Sequence, residues 1–246
     1  MSYDFTAACA ARGSHFHSLE IMDSAPVSVD RGAFALLEDS VVLAMRAEAE
    51  PDFEIAASFG RSSLLATTLF VEACANTCLD MLALDTAFAS DLDRLPTLSK
   101  FDLFLRLYRS QRKIDRSRHE VQGIIELKRI RDSFVHPKGQ RVIWDSWSPE
   151  SSTSRSPRTK ATDLPKILSF CGHEDAPRAM IAAHSFLAYF FSDLSRFRPS
   201  HVSSLLFSEQ PVPSLHEKLV PYWRSDRHHW LKTKMVNFGY MRIGKL

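Results

Sequence analysis

The chain has 246 residues, 45% of them hydrophobic, with only 8 glycines and a formal net charge of +2. That apolar content suits one packed domain with extensions. The few glycines and the lack of a G-x-G-x-x-G or P-loop motif exclude the Rossmann and P-loop classes of nucleotide-binding protein. Charge is spread unevenly, because residues 101–131 carry nine basic and four acidic residues, and residues 218–246 carry seven and one. This distribution indicates an anionic partner.

The cysteines predict neither a disulfide framework nor a metal site. Cys74 and Cys78 fall on one helix face as small apolar residues, and no further ligands of matching spacing accompany them. We therefore expect no metal and no cofactor. The first residues lack the features of a signal peptide, and the apolar runs are interrupted or shorter than the roughly 20 residues of a membrane span. The expectation is a cytoplasmic protein without a membrane segment.

The first half of the chain predicts helices. Residues 1–29 show no periodicity and are interpreted as a peripheral extension. A helix is predicted from Arg31 to about Glu50, with Asp30 as its N-cap and Pro51 as its break. Residues 58–84 form the longest candidate helix, which is apolar on most sides, as a central bundle helix should be.

Three shorter segments follow the central helix. Residues 85–97 are predicted to be a connection, residues 98–109 a helix and residues 110–118 a basic loop. A second long helix then runs from about Glu120 to His136, where the following proline and glycine end it. Its predicted buried stripe recurs at helical spacing and comprises Ile124, Leu127, Ile130, Phe134 and Val135.

The remaining segments are predicted from local signals. Residues 141–144 pair as a short strand or simply pack, residues 149–160 form a mobile loop and a short helix lies near 163–170. A nearly all-apolar helix runs from about 174 to 197, with His184 as a core or interface histidine. Beyond Pro199 an aromatic and basic tail contains a predicted helix at 214–234. This tail stacks on bases or, as we favour, packs back on the domain or across a dimer.

These elements predict an all-α, up-and-down helical bundle at residues 30–198, with an N-terminal extension at 1–29 and a C-terminal helical tail at 199–246. The end of the second long helix carries the strongest functional signal. Arg131, Asp132 and His136 lie close together there, because residues four apart are neighbours on a helix surface. A permanent cation, a carboxylate and a titratable imidazole suit the binding and cleavage of a phosphodiester. Arg-x4-His spacing alone selects nothing, since it also occurs at Arg12/His17, Arg196/His201 and Arg224/His229.

In its helical context, the segment Arg131-Asp132-Ser133-Phe134-Val135-His136, closed by Pro137, resembles the motif of the HEPN superfamily (the higher eukaryotes and prokaryotes nucleotide-binding domain). The apolar segment 62–76, with Glu72 and Asn76 one turn apart, is similar to the first core helix of that family. The resemblance covers about residues 55–197. It implies an all-α bundle that dimerises, often with metal-independent endoribonuclease activity.

The resemblance also implies roles for individual residues. His136 would act as general base or acid, Arg131 would bind the scissile phosphate, and Asp132 would orient His136, giving a 2′,3′-cyclic phosphate end on RNA. Glu72 and Asn76 would face this site as supporting residues, from the same or the second subunit. For their stripe, which continues through Thr68 and Asp80, we favour a solvated strip, and the supporting role of Glu72 and Asn76 is the alternative. Predicted RNA contacts are Arg112, Lys113, Arg116, Arg118 and Lys138.

Lys138 marks a departure from part of the family. HEPN toxins that are controlled by a nucleotidyltransferase antitoxin usually carry a tyrosine at this position, so we expect a different antagonist or trigger for a toxin or host-defence ribonuclease. The rival interpretation is a catalytically silent HEPN module for dimerisation or nucleotide binding. Asp132 favours this rival slightly, since a fixed negative charge beside a phosphate is unfavourable.

Overall fold

Two long helices, α1 (Ala33–Ala49) and α2 (Phe53–Asp80), form a hairpin around which the other elements pack. This computed structural model describes residues 28–109, 112–148, 152–213, 215 and 219–246, so most of the predicted N-terminal extension lies outside it. Asp52 caps α2 by accepting the amide hydrogens of Glu54 and Ile55 at 2.9 and 3.1 Å. This cap and the preceding proline fix the turn between the helices.

The start of α1 differs from the prediction. The N-cap is Gly32, not Asp30, and its φ of 64° lies in the left-handed region that favours glycine. Asp30 instead accepts the Gly32 amide hydrogen at 2.7 Å, and α1 begins only at Ala33. The predicted aspartate therefore acts in the turn before the helix.

Six further α-helices occur in the part of the chain that the structure describes. They are α3 (Thr86–Asp93), α4 (Thr97–Tyr108), α5 (His119–Val135), α6 (Asp175–Ala188), α7 (Pro199–Phe207) and α8 (Ser225–Thr233). A π-helix at Tyr189–Leu194 continues α6, and a single 3-10 turn at Leu168–Phe170 replaces the short helix predicted near 163–170. The protein is mostly helical, and the all-α prediction is confirmed at that level.

Two predicted segments were wrong. The connection at 85–97 contains α3, whose N-cap Asp85 accepts the Phe88 amide hydrogen at 2.9 Å. Of the helix predicted at 214–234, the described residues are helical only from Ser225, after the strand β3 (Tyr222–Trp223), and residues 214 and 216–218 lie outside the description. Pro221 and the extended residues behind it prevent an earlier start.

Short strands complete the structure. β1 (Ile143–Trp147) and β2 (Ser152–Arg155) form an antiparallel hairpin with an irregularity between Trp144 and Ser146. Strand β2 falls in the segment predicted to be a mobile loop, of which residues 149–151 lie outside the description. β3 pairs in parallel with β4 (Gly244–Lys245). Each sheet has two strands, so the bundle still dominates.

One hydrophobic core joins the bundle and the tail. Helix α2 contacts α1, α4, α5, α6 and α7, and the core cluster extends into α7 and the residues after it. Trp223 and Tyr240 are almost fully buried, and the Tyr240 ring stacks on Phe191 with centroids 5.9 Å apart. The tail therefore packs back on its own domain, which is one of the alternatives that its sequence left open.

The same tail covers the apolar helix α6. Phe186, Phe190 and Phe191 are fully buried, and Phe101 packs against the first two with ring centroids 5.3 and 4.5 Å away. His184 is also fully buried and lies 2.7 Å from the Tyr240 hydroxyl through Nδ1, which confirms the predicted core histidine. The largest apolar side chains of this segment are therefore covered within the chain itself.

By length and composition, one helix among the described residues, α2, could cross a membrane. Two thirds of its most apolar window (67%) is buried inside the protein, as expected for the central helix of a bundle.

Candidate active site at the end of helix α5

The last turn of α5 projects beyond the core. Ile124, Leu127 and Ile130 are buried as predicted, but Phe134 is 53% and Val135 52% exposed. The predicted stripe is therefore wrong for its last two members. Helix α5 packs on α6, α2 and the 3-10 turn, whereas residues 134–136 at its C-terminal end are exposed. Two large apolar side chains between Arg131 and His136 thus lie on the protein surface.

His136 terminates α5 as its C-cap. Its backbone has φ −123° and ψ 69°, outside the helical region, while its amide still donates to the Asp132 carbonyl at 2.9 Å. The imidazole is exposed, and within the described residues it has no hydrogen-bonding or ionic partner. An exposed, unengaged imidazole is available for proton exchange with a bound molecule.

Asp132 does not orient this imidazole, and that prediction is wrong. Its carboxylate receives a hydrogen bond from Lys128 and lies 3.4 Å from Nη1 of Arg131. The four-residue spacing brings Lys128 and Asp132 together because both are helical. His136 is also four residues from Asp132, but its backbone is not helical, and Lys128 and Arg131 are the described partners of the Asp132 carboxylate.

Arg131 is held in place by α2. Its Nη2 donates to Oε2 of Glu72 at 2.8 Å, across the contact between α5 and α2. The arginine side chain is 18% and the glutamate 33% exposed, so this pair is only partly screened by water. The ion pair fixes the guanidinium at the rim of the core, as the predicted supporting role of Glu72 requires.

The polar stripe along α2 is not a solvated strip. Its members Thr68, Glu72, Asn76 and Asp80 have four different partners. These are, in the same order, the Leu64 carbonyl at 2.9 Å, Arg131 at 2.8 Å, Lys100 at 2.7 Å and Arg31 at 3.4 Å. Most of the stripe therefore links α2 to neighbouring segments. Because Asn76 accepts a hydrogen bond from the buried Lys100, the prediction that it supports Arg131 and His136 is wrong.

A depression of about 520 Å³ collects the residues around the helix end. Its lining residues are Lys128, Arg131, Asp132, Ser133, His136, Lys138 and Gln140. The structure thus brings Arg131, His136 and Lys138 together, as the sequence predicted. Sequence reasoning missed Lys128, Ser133 and Gln140, although the four-residue spacing of Lys128 and Asp132 was a usable signal.

The other four predicted RNA contacts lie elsewhere. Arg112, Lys113, Arg116 and Arg118 precede α5, whose 17 residues separate them from His136 by about 25 Å. Arg112 donates to the carbonyls of Asp193 and Leu194, and Arg118 pairs with Glu120 and lies over the Tyr189 ring. Two of the four cations are therefore engaged within the protein. Lys113 and Arg116 are exposed.

The charges around the depression leave a small positive excess. Lys128, Arg131 and Lys138 contribute three positive charges, and Glu72 and Asp132 contribute two negative ones. Protonation of His136 adds one more. A small positive excess of this kind favours an anionic group over a cationic one. Among the described residues no group of three or more His, Cys, Asp and Glu side chains is arranged to hold a metal ion.

We compared the chain with protein-family models, curated proteins and solved structures, and none of the three comparisons gives a match.

Proposed function

We propose that the protein is a metal-independent endoribonuclease of the HEPN type, built on a HEPN-type helical bundle. One observation carries this proposal: Arg131, held by Glu72 at 2.8 Å, and the exposed imidazole of His136 line the same basic depression. Cleavage of a phosphodiester by proton transfer needs at least two groups: a cation that binds the phosphate and a base or acid that transfers the proton. A fixed guanidinium and an accessible imidazole supply them.

In the proposed reaction, Arg131 binds the scissile phosphate of RNA and stabilises the charge that develops on it. His136 takes the proton from the ribose 2′-hydroxyl or gives one to the leaving 5′-oxygen. The attack of the 2′-oxygen on phosphorus breaks the bond to the 5′-oxygen and leaves a 2′,3′-cyclic phosphate and a 5′-hydroxyl. DNA, which lacks the 2′-hydroxyl, is not a substrate. Lys128 and Lys138, which line the same depression, contact neighbouring phosphates.

The reaction is best served by separate acid and base groups, and each chain offers one His136 in this site. We propose a homodimer in which two depressions join. The exposed side chains of Phe134 and Val135 lie directly before His136, so a second copy that covers them brings the two imidazoles into one groove.

The cellular role that we propose is a toxin or host-defence ribonuclease in the cytoplasm, restrained by an antagonist protein or released by a trigger. The alternative is a catalytically silent HEPN module for dimerisation or nucleotide binding. One observation favours that alternative: both Glu72 and Asp132 lie against Arg131, at 2.8 and 3.4 Å, and offset the charge that would bind phosphate.

The test is an RNA-cleavage assay with purified protein and excess EDTA. We expect cleavage in EDTA, with 2′,3′-cyclic phosphate ends, and a loss of at least about 10²-fold for Arg131→Ala and His136→Ala. Arg224→Ala and His229→Ala are the matched controls, because these two exposed residues have the same spacing and should keep full activity.

Three results would contradict the proposal. The first is cleavage that disappears in EDTA and returns with Mg²⁺. The second is equal loss of activity in the control variants, and the third is no cleavage of any RNA, which would favour the silent module. Thermal unfolding of each variant separates loss of activity from loss of structure.

A further inference from the structure

A second, larger depression of about 720 Å³ runs along α5 on a different face from Arg131. At 100° per residue, the helix positions 119, 122, 126 and 129 share one face, and position 131 lies about 140° away from position 126. The opposite wall is the segment between β2 and the 3-10 turn. The lining residues are Ser117, His119, Gln122, Glu126, Arg129, Ile130, Thr159, Lys160, Ala161 and Lys166.

Cationic side chains dominate this depression. Arg129, Lys160 and Lys166 are exposed, and no carboxylate of the described residues forms an ion pair with any of them or with His119. In contrast, Arg118, Arg158 and Arg178 in neighbouring segments each pair with an acidic residue. Unpaired cations gathered in one concave surface indicate an anionic ligand.

The only acidic residue in this lining, Glu126, is already engaged. Its carboxylate accepts the backbone amide hydrogens of Lys160, Ala161 and Thr162 at 3.0, 3.0 and 2.9 Å, and the Thr162 hydroxyl at 3.1 Å. Burial acts to raise the pKa of Glu126, but these hydrogen bonds outweigh it and lower the pKa. The charged carboxylate thus fastens residues 160–162 to α5 and sets the shape of the far wall.

The N-terminus of α5 adds to the positive potential at one end. Ser117 and His119 line that end, and the N-cap, Arg118, makes no side-chain hydrogen bond to the amides of the first turn. The helix dipole places partial positive charge at this end, and the carboxylate of the first turn, Glu120, is paired with Arg118. Arg129, ten residues further along the helix, supplies charge at the other end, about 15 Å away.

We infer that this depression binds a small molecule that carries two neighbouring phosphate groups. The volume of about 720 Å³ lies within the range of small-molecule sites. A single phosphate carries at most about two negative charges, fewer than the positive charges of Arg129, Lys160 and Lys166. A diphosphate carries more negative charge and can neutralise the three cations together. Ala161, which is partly exposed, offers apolar contact to the rest of the ligand. The site shares no residue with the depression around His136, and it does not depend on the proposed ribonuclease activity.

The test is calorimetric titration of the full chain with inorganic pyrophosphate and, separately, inorganic phosphate. We expect saturable binding of pyrophosphate at one site per chain and much weaker binding of phosphate. The variant Arg129→Ala/Lys160→Ala/Lys166→Ala should weaken pyrophosphate binding by at least about tenfold, since it removes three charge-assisted contacts. The control Arg46→Ala/Arg94→Ala/Lys245→Ala removes the same charge from exposed positions elsewhere and should bind normally.

Two competition experiments identify the kind of molecule that carries the phosphate groups. ADP should compete with pyrophosphate, whereas a 2′-O-methyl RNA oligomer should not. Competition by the oligomer alone would overturn the inference and assign the depression to RNA. Equal weakening in both triple variants, or no saturable binding, would also overturn it. Arg131→Ala/His136→Ala should bind pyrophosphate normally, so the result stands apart from the ribonuclease assay. If the first triple variant unfolds, the single change Lys166→Ala provides the measurement.

Discussion

At His184, burial decides the protonation state. The side chain is fully buried, and burial lowers its pKa from 6.5 to about 3. Its Nδ1 lies 2.7 Å from the Tyr240 hydroxyl, and its Nε2 is buried without a hydrogen-bond partner among the described residues. A protonated ring would need an acceptor at each nitrogen, so the folded protein keeps the ring neutral.

This pKa predicts how stability depends on pH. The pKa of His184 is lower in the folded than in the unfolded state. The contribution of the neutral His184 ring to the free energy of unfolding is therefore complete above about pH 6.5 and is lost as the pH falls towards 3. The loss is at most about 1.4 kcal/mol per pH unit, or about 2 kcal/mol by pH 5. Urea unfolding at pH 7.5 and pH 5 measures it.

The matched variant is His184→Gln, which cannot titrate. It should be less stable than the wild type at pH 7.5, and the gap should narrow by about 2 kcal/mol at pH 5. The carboxyl groups with lowered pKa, such as Glu126, titrate below this window and do not disturb the comparison. A gap of the same size at both pH values would show that His184 does not titrate as its burial implies.

At the residue scale, the sequence predicted part of the candidate site. The motif selected Arg131 and His136, and spacing along α2 selected Glu72, because helical periodicity carries over from sequence to structure. The role of Asp132 was not predictable, since it depends on His136 leaving the helix at its C-cap. The partner of Asn76 was not predictable either, because Lys100 reaches it from a separate helix.

Helix α2 and the segment before α6 lie so close together at Gly60 that there is no space for a side chain there. A β-carbon at Gly60 would lie 2.6 Å from the Gly172 carbonyl oxygen and 2.9 Å from the His173 α-carbon, and both are backbone atoms. Gly139, by contrast, has no atom of the described residues within 4 Å of its β-carbon position and no positive φ, so its backbone does not require glycine.

Gly60→Ala should therefore destabilise the protein. The gain in helix propensity is at most about 1 kcal/mol, whereas overpacking against fixed backbone costs about 1–3 kcal/mol or more. We expect a net loss of about 1–2 kcal/mol in urea unfolding. Gly139→Ala, the control, should change stability by less than about 0.5 kcal/mol. If both variants unfold at the wild-type urea concentration, α2 and residues 172–173 are not as close as the structure shows.

The long helices were predictable and the short elements were not. Helices α2, α5 and α6 carry apolar side chains over many turns, so periodicity defines them. Helix α3 has eight residues and a weaker pattern, although Asp85 offered a cap signal. The β1–β2 hairpin contains few apolar residues, and the two-residue strands β3 and β4 form only through pairing across 20 residues of chain.

The exposed C-terminal end of α5 predicts that two copies of the chain associate. We expect the wild type to sediment as a dimer at micromolar concentration, because Phe134 and Val135 are both about half exposed beside the candidate site. Phe134→Ser/Val135→Ser should sediment as a monomer. The control Phe88→Ser/Leu107→Ser changes two similarly exposed residues on other helices and should remain a dimer.

A wild-type monomer that cleaves RNA would refute the shared groove. A dimer that survives Phe134→Ser/Val135→Ser would move the interface to another surface. Mixing experiments add a functional measurement: an Arg131→Ala subunit and a His136→Ala subunit that regain activity together must form a site from both chains.

The burial of Trp223 and Tyr240 in the common core has a consequence for biosynthesis. Helix α6 leaves the ribosome before the residues that cover His184 and Phe191 have been made. Until residue 240 is available, the nascent chain exposes an apolar helix with an unsatisfied histidine, the kind of surface that chaperones recognise. Native packing around His184 and Phe191 therefore forms only after residue 240 has been made.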